Sequence, residues 1–320
     1  MLRAVIAGLL GLVLVAISAT GVDAQAKYPI KPVELIVPFV AGASTDSCAR
    51  VIAQVLEARW GVPVRVVNKP GGNTVPAVTE VMTARPDGTT LLVDNIASSA
   101  MLDTVVKNLP FKVSDRTFVA VMAYTPMMFI VHTDSPIKTL KEAAEALRKG
   151  TETFTWTSLG GVGAQDMVFR RFAAATGVDV SKTRAIALKG GAEAVTMTAG
   201  GHVQLGTGTW RAIAAPLSAG KLRVLAVAGP ERWPKLDAPT TKEAGFPDIE
   251  VSFWIGISGP PGLSADIVAT WDAALKDVLS DKSVHEKMLN AGVVASYQDS
   301  RGMTARVEED RKTTQTLFGR

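Results

Sequence analysis

The fold is decided by one stretch near the start of the chain, which reads Val33-Glu-Leu-Ile-Val-Pro-Phe-Val-Ala-Gly-Ala-Ser-Thr-Asp-Ser-Cys-Ala-Arg-Val-Ile-Ala-Gln-Val-Leu-Glu-Ala-Arg-Trp60. Its beginning is a short apolar, β-branched run, which is typical of a buried strand. Small and polar residues follow from Gly42 to Asp46, and apolar residues then recur at helical spacing until Gly61, a residue suited to ending a helix. The stretch therefore predicts a strand, a small-residue loop and a helix.

The loop of this unit has two interpretations. The first N–H groups of a helix lack partners within the helix, and they can bind an anionic group of a ligand. Ser44, Thr45 and Asp46 are equally residues that cap a helix N-terminus without any ligand. The stretch on its own does not separate the ligand site from the cap.

The composition of the chain excludes several classes of function. The 320 residues are 47% hydrophobic and 20% charged, which is typical of a globular protein long enough for two domains. The net charge is only +4 and the basic residues are scattered, so nucleic acid is not an expected partner. One Cys and three widely separated His residues give no pattern for a metal site, and no cofactor is expected.

The N-terminus has the pattern of a secretory signal peptide. Arg3 precedes an apolar run from Ala4 to Ala19, and Ala24-Gln-Ala26 is a cleavage-site pattern. The run is short for a membrane-spanning helix. We expect removal of residues 1–26 and export to the periplasm. Cys48, the only cysteine, would then have to be buried, and the helical pattern places it on the apolar face.

The rest of the chain repeats the order of strand, small polar loop and helix. Strands are predicted over residues 64–67, 89–93, 118–122, 127–131, 154–157, 184–188, 203–206, 222–228 and 251–259. Helices are predicted over residues 76–84, 139–149, 165–176, 191–199, 210–219 and 264–279, followed by two shorter helices. Several strands end in loops rich in Gly, Ser, Thr or Asn. In open α/β sheets, ligands bind beyond the carboxyl ends of the strands, so this recurrence favours a ligand site.

Motifs along nearly the whole mature chain resemble one family, the Bug/TctC periplasmic receptors of tripartite tricarboxylate transporters. The matching segments are Tyr28-Pro29, Val37-Pro-Phe39, Ser44-Thr-Asp46, Asn68-Lys-Pro-Gly71, Pro86-Asp-Gly88, Lys189-Gly-Gly191 and Ala219-Gly-Lys-Leu-Arg-Val-Leu-Ala226. The resemblance implies a type II periplasmic-binding-protein fold, in which two α/β domains enclose a cleft and are joined by two crossovers. It places domain 1 at residues 27–124 and 246–320, and domain 2 at residues 125–245, with crossovers near Tyr124 and in the linker from Pro230 to Pro247.

The resemblance also implies the function. The chain is expected to capture a small carboxylate in the cleft and to deliver it to membrane transporter subunits, as a monomer and without catalysis. The implied ligand classes are di- and tricarboxylates, acidic amino acids and aromatic carboxylates. The predicted ligand-binding residues are Phe39, Gly42, Ser44, Thr45, Asp46, Asn73, Thr74, Asn95, Ser158, Gly160, Gly163, Gly190, Gly191 and Thr209.

The loops depart from the family pattern at the predicted site. The family's Gly-Gly-Gly-Thr-Asp is replaced by Gly42-Ala-Ser-Thr-Asp46, and its Pro-Gly-Ala-Gly-Gly by Pro70-Gly-Gly-Asn-Thr74. Thr157-Ser-Leu-Gly160 matches the family's Gly-Ser-Ala-Gly. In contrast, Ala164 replaces a Ser of the family, Asp166 replaces a His, and Gly208-Thr209 replaces an Asp-Asn pair. Asp46 and Asp166 either cap their helices or meet an amine or hydroxyl of the ligand, and Lys189 is expected to be solvated or to bridge the domains.

The sequence also bears on three other functions. An exported α/β hydrolase would need a Gly-x-Ser-x-Gly motif, which the sequence lacks. A nucleotide-binding Rossmann enzyme would need a third glycine after Gly161-Val-Gly163, and that glycine is missing. A receptor that signals to a membrane sensor is not separable from a transport receptor by sequence.

Overall fold

The computed structural model describes residues 28–161 and 163–318. In these residues the strands are β1 Val33–Val37, β2 Val64–Asn68, β3 Thr90–Asn95, β4 Thr117–His132, β5 Thr155–Ser158, β6 Arg184–Ala187, β7 Gly206–Gly208, β8 Leu222–Ala228, β9 Ser252–Gly259 and β10 Val294–Gln298. The α-helices are α1 Ser44–Trp60, α2 Val75–Met82, α3 Leu102–Val105, α4 Leu140–Lys149, α5 Ala164–Ala175, α6 Gly191–Ala199, α7 Trp210–Ser218, α8 Ala265–Val278, α9 Lys282–Asn290 and α10 Ser300–Phe318.

The main sheet runs in the order β10-β4-β9-β3-β1-β2, with β7 and β8 paired to β4 off this path. β1 is parallel to β2 and β3, whereas β9 is antiparallel to β3 and β4 is antiparallel to β9. The first half of β4 pairs with β9 and β10, and its second half pairs with β7 and β8. One long strand therefore belongs to two α/β domains. The second domain also contains the short parallel pair β5-β6.

The opening unit folds as its sequence predicts. Buried apolar residues form β1, and α1 begins at Ser44 immediately after the small-residue loop. α1 ends at Gly61, whose left-handed backbone (φ 68°) lets its N–H donate to the carbonyl of Glu57. Cys48 is fully buried, and burial raises the pKa of its thiol to about 12. The thiol is thus protonated and unreactive at neutral pH.

Several predicted boundaries were wrong. The strands predicted at 118–122 and 127–131 are one continuous strand, because both ends of β4 are held by neighbours on either side of Pro126. The strand predicted at 203–206 is β7, which starts at Gly206. The last helix is long, not short: α10 has 19 residues, and β10 precedes it. β10 has no fully buried position, so its sequence lacks a clear strand pattern.

One apolar cluster contains residues of both domains, with Phe118 and Trp254 from domain 1 and Phe129 and Phe169 from domain 2, and a second cluster lies within domain 1. In domain 1, α1 packs on β1 and β2 and α8 packs on β4, and Trp271 of α8 lies edge-on against Trp60 of α1. In domain 2, the indole of Trp156 stacks on the ring of Phe169, with centroids 3.9 Å apart. α10 contacts β4, α3 and α5, so it touches elements of both domains.

The predicted signal peptide and the predicted domain limits remain predictions. The predicted signal peptide, residues 1–26, lies outside the described residues. The predicted domain limits fall within β4 and within the irregular stretch between β8 and β9, and they remain predictions. In the described part of the chain, no helix has both the length and the apolar character needed to span a membrane.

Candidate functional site

The loop before α1 is organised by the carboxylate of Asp46. This side chain is buried, and it accepts hydrogen bonds from the backbone N–H of Gly42 (2.8 Å), from Nδ2 of Asn68 (2.8 Å) and from Arg50 (3.0 Å). Burial opposes the charged form, but these bonds outweigh it and hold the pKa of the Asp46 carboxyl below its usual range. Asp46 is therefore engaged with its own loop, and Ala43 rather than Asp46 is the N-cap.

The loop before α5 is organised in the same manner by Asp166. Its carboxylate accepts from the hydroxyl of Ser158, from the N–H of Leu159 (2.9 Å) and from the N–H of Gly161 (3.2 Å). Burial raises the pKa of the Asp166 carboxyl, and the three hydrogen bonds only partly offset this. The N–H of Gly160 donates to the Ser158 hydroxyl (3.1 Å), so the loop folds around these two side chains.

The loop before α1 of domain 1 and the loop before α7 of domain 2 meet across the cleft. The hydroxyl oxygens of Ser44 and Thr209 are 3.2 Å apart, and Nε of Arg211 donates to the carbonyl of Gly42 (3.3 Å). Ser44 is the first residue of α1, and Thr209 is the N-cap of α7. The N-termini of a domain 1 helix and a domain 2 helix therefore face each other.

Asn73 and Thr74 lie in the loop before α2, and both have left-handed backbones (φ 51° and 68°). Thr74 is 5% exposed, and its hydroxyl has no hydrogen-bond partner within the described residues. A buried hydroxyl without a partner is costly, so its position suits a bond to a ligand or to water.

Asn95 lies at the carboxyl end of β3 and is fully buried. Its Oδ1 accepts from the N–H groups of Ala97 and Ser98, whereas its Nδ2 has no partner within the described residues. The preceding Asp94 accepts from the hydroxyls of Ser98 and Ser99 and forms an ion pair with the equally buried Arg116 (3.3 Å). This network fixes the backbone at the end of β3.

The remaining predicted residues lie at the ends of the same elements. Gly163 and Gly190 are the N-caps of α5 and α6, and Gly191 begins α6. Thr45 is buried in the first turn of α1, and Phe39 packs edge-on against Phe253 of β9 (5.8 Å). Within the described residues a hydrogen bond joins Ser44 to Thr209, whereas no hydrogen bond joins Asn73, Thr74 or Asn95 to domain 2.

The helices that begin at predicted site loops share one property. α1, α2, α5, α6 and α7 have no side-chain hydrogen bond at the N-cap, and the four-residue helix α3, which begins at no predicted site loop, has none either. By contrast, α4, α8 and α9 are capped by the side chains of Thr139, Ser264 and Asp281. The N–H groups of the first five helix ends thus lack the side-chain acceptor that the other three have, which leaves them available to an anion.

Sequence reasoning missed two residues that shape this site. Asn68 lies at the end of β2, and its Nδ2 donates to the carboxylate of Asp46 and to the carbonyl of Phe39. Its place as a polar residue directly after a predicted strand is the sequence feature that could have identified it. Arg211 reaches Gly42 of the other domain. No signal in the sequence indicates that contact, because the two residues are distant along the chain.

The chain is similar to receptors of one transporter family. The model of the family described as "Tripartite tricarboxylate transporter family receptor" matches residues 48–318. BugT of Bordetella pertussis is 28% identical over 93% of this chain and 93% of its own. A Rhodopseudomonas palustris protein solved with adipate is 26% identical, covers 91% of this chain and 98% of its own, and superposes with a TM-score of 0.82. MatC from Rhodopseudomonas palustris with bound malate is also 26% identical. It covers 91% of this chain and 99% of its own, and it superposes with a TM-score of 0.79.

Proposed function

Because the chain belongs to the tripartite tricarboxylate transporter receptor family, we propose that it captures a small carboxylate between its domains and delivers it to transporter subunits. The family and the relatives are binding proteins, and two similar structures hold malate and adipate. We assign this chain the same class of ligand, an organic acid, and no catalytic role.

The observation that carries the proposal is the contrast in helix capping. The five helix N-termini at the predicted loops lack side-chain caps, whereas α4, α8 and α9 have them. A carboxylate that binds at such ends accepts N–H donors and gains from the helix dipoles. The predicted residues contain no Arg or Lys, so these backbone donors and the hydroxyls of Ser44, Thr74 and Thr209 would supply the main interactions.

The number of donors is sufficient for useful affinity. A hydrogen bond to a charged group contributes about 1.5–3 kcal/mol. Four to six such bonds, less the cost of association, reach the roughly −8 kcal/mol that corresponds to micromolar binding. In this proposal Asp46 and Asp166 are positioning residues, since their carboxylates already accept bonds from their own loops.

The proposal includes export and domain closure. We propose that residues 1–26 are removed, that the mature protein acts in the periplasm, and that domains at 27–124 with 246–320 and at 125–245 close on the ligand. The Ser44–Thr209 and Arg211–Gly42 contacts, which cross between these domains, support closure. N-terminal sequencing of the exported protein tests the cleavage, and a mature chain that still begins at Met1 would refute it.

The ligand class is tested by a thermal-shift screen of the purified protein. The panel contains malate, adipate, citrate, glutamate and benzoate, together with neutral amides of the same acids. We expect the melting temperature to rise with at least one acid and to rise less with its amide. Stabilisation by the neutral compounds alone would overturn the proposal.

A further inference from the structure

One buried side chain at the start of α5 has no role in the site described so far. Gln165, on the first turn of α5, is 9% exposed, its carboxamide forms no hydrogen bond with another described side chain or backbone group, and its polar atoms are not among the fully solvent-inaccessible ones. An amide that is nine-tenths buried normally has its donors and acceptor satisfied. Gln165 was not among the residues predicted from the sequence.

The position of this carboxamide is defined by two glycines. Nε2 of Gln165 lies 2.9 Å from the place where a Cβ of Gly191 would stand, and Oε1 lies 3.4 Å from the corresponding place at Gly163. Gly163 has a positive φ of 154°, so its backbone requires glycine in any case. The backbone of Gly191 does not, and its Cβ would meet no other atom within 4 Å. The steric reason for a glycine at 191 is therefore the Gln165 side chain.

The carboxamide thus lies between two uncapped helix N-termini. Gln165 belongs to the first turn of α5, and Gly191 is the first residue of α6. The neighbouring carboxylate does not compete for the amide, because Asp166 is bound to Ser158, Leu159 and Gly161. The side chain of Glu193, on the first turn of α6, is likewise bound to the N–H of Lys189.

We propose that Gln165 is a ligand contact, whose carboxamide donates a hydrogen bond to a carboxylate oxygen of the ligand in the domain 2 half of the cleft. The inference rests on the proposed function and deepens it. The group is neutral, so it adds a directed donor to the helix N-termini without introducing a cation. The proposed contact does not depend on which end of the amide is assigned as nitrogen, because the amide can rotate to present its NH₂.

The test compares charge and shape at this position. Gln165→Glu keeps the size but replaces the donor by an anion, and Gln165→Leu removes hydrogen bonding. Gln54→Glu, on the exposed side of α1, is the matched control for added charge. The affinities of wild type and variants for malate, adipate, citrate, glutamate and benzoate are measured by titration calorimetry, and the melting temperature of each ligand-free variant is recorded.

We expect Gln165→Glu to bind every recognised acid at least tenfold more weakly, Gln165→Leu several-fold more weakly, and Gln54→Glu within twofold of wild type. The ligand-free melting temperature of Gln165→Glu should not fall, since a carboxylate in the first turn of a helix is favourable. If Gln165 had a purely structural role, the substitution would lower the melting temperature of the ligand-free protein. Affinity of both Gln165 variants within twofold of wild type would overturn this inference and leave the proposed function intact. If wild type binds none of the five acids, the proposed function fails and the inference fails with it.

A second measurement reads the contact in the wild-type protein itself. The side-chain NH₂ resonances of Gln165 in the wild-type protein are assigned by their absence from the Gln165→Leu spectrum. Saturation with a bound acid should shift them, and unchanged resonances at saturation would overturn the contact.

Discussion

Two aspartates at equivalent places show how local surroundings decide the ionisation of a carboxyl group. Asp46 and Asp166 each lie in the first turn of a helix that follows a strand and a small-residue loop. The pKa of Asp46 is lowered, because Arg50 and Asn68 donate hydrogen bonds to its carboxylate in addition to the N–H of Gly42. The pKa of Asp166 is raised, because burial outweighs its hydrogen bonds. The sequence motif alone would assign them the same behaviour.

Replacement of Asp46 by Asn should destabilise the fold. We expect the free energy of unfolding at pH 7 to fall by about 1–2 kcal/mol, because charged hydrogen bonds are lost but the partner Arg50 is half exposed to solvent. The folded pKa of Asp46 is lowered, so its contribution is present above the unfolded value of about 3.9 and is lost as pH falls through the folded value.

Urea denaturation of wild type and Asp46→Asn at pH 7 and at pH 3 checks this prediction. The difference between the two proteins should be smaller at pH 3. Asp134→Asn is the control, because the Asp134 side chain is 87% exposed. A difference that grows as pH falls would contradict the assigned role.

At the scale of elements, α10 holds the two domains together near their crossing point. Ser300 at its start donates to the carbonyl of Phe118 in β4, and Asp310 accepts from Nε1 of Trp254 in β9 (2.8 Å). Its last residue, Phe318, lies under the guanidinium of Arg170 of α5, 4.2 Å from the ring centroid. The helix therefore runs from the domain 1 sheet to a domain 2 helix.

Asp310 gives α10 a pH dependence opposite to that of Asp46. Burial raises the pKa of its carboxyl, so its contribution to stability is complete below the unfolded value of about 3.9 and is lost as pH rises through the folded value. Asp310→Asn keeps an acceptor for Trp254 and removes the buried charge. We expect it to be at least as stable as wild type at pH 7, with an advantage that shrinks as pH falls towards 4 in urea denaturation. An advantage that widens at low pH would refute this.

The contact between Phe318 and Arg170 should stabilise the association of α10 with domain 2. We expect Phe318→Ala to lower the free energy of unfolding by about 1–2 kcal/mol, from lost burial and a cation–π interaction with a half-buried Arg170. A double-mutant cycle with Arg170→Ala in urea isolates the pair, and a coupling energy near zero would contradict it. Thr316→Ala, at an exposed position of the same turn, is the control.

At the scale of the whole molecule, the Ser44–Thr209 contact crosses the cleft, so its loss should affect closure more than folding. We expect Ser44→Ala to leave the free energy of unfolding within about 0.5 kcal/mol and to weaken carboxylate binding by roughly two- to tenfold, the equivalent of one neutral hydrogen bond. Calorimetry measures the affinity, and small-angle scattering measures the ligand-induced decrease in radius of gyration.

Ser47→Ala, one turn further along α1, is the control for this variant because Ser47 has no described side-chain contact with domain 2. Equal effects of the two substitutions on affinity would show that the hydroxyl of Ser44 has no special part in closure.

Local sequence patterns were enough to predict the α/β class, the strand-loop-helix units and the family, because these follow from periodicity and from motifs of adjacent residues. The buried strand β1, the burial of Cys48 and the end of α1 at Gly61 are all consequences of such short-range patterns. Those patterns also indicated which loops follow strands, and they therefore predicted the loops in which ligand-binding residues lie.

Which groups meet in the folded protein could not be predicted from such patterns. The continuity of β4 depends on partners on both sides of Pro126, and the contacts of Ser44 with Thr209 and of Arg211 with Gly42 join residues more than 160 positions apart. The place of Gln165 against Gly191 likewise arises only when α5 and α6 begin side by side. Such contacts depend on how separate elements pack, and a pattern of neighbouring residues carries no direct record of that packing.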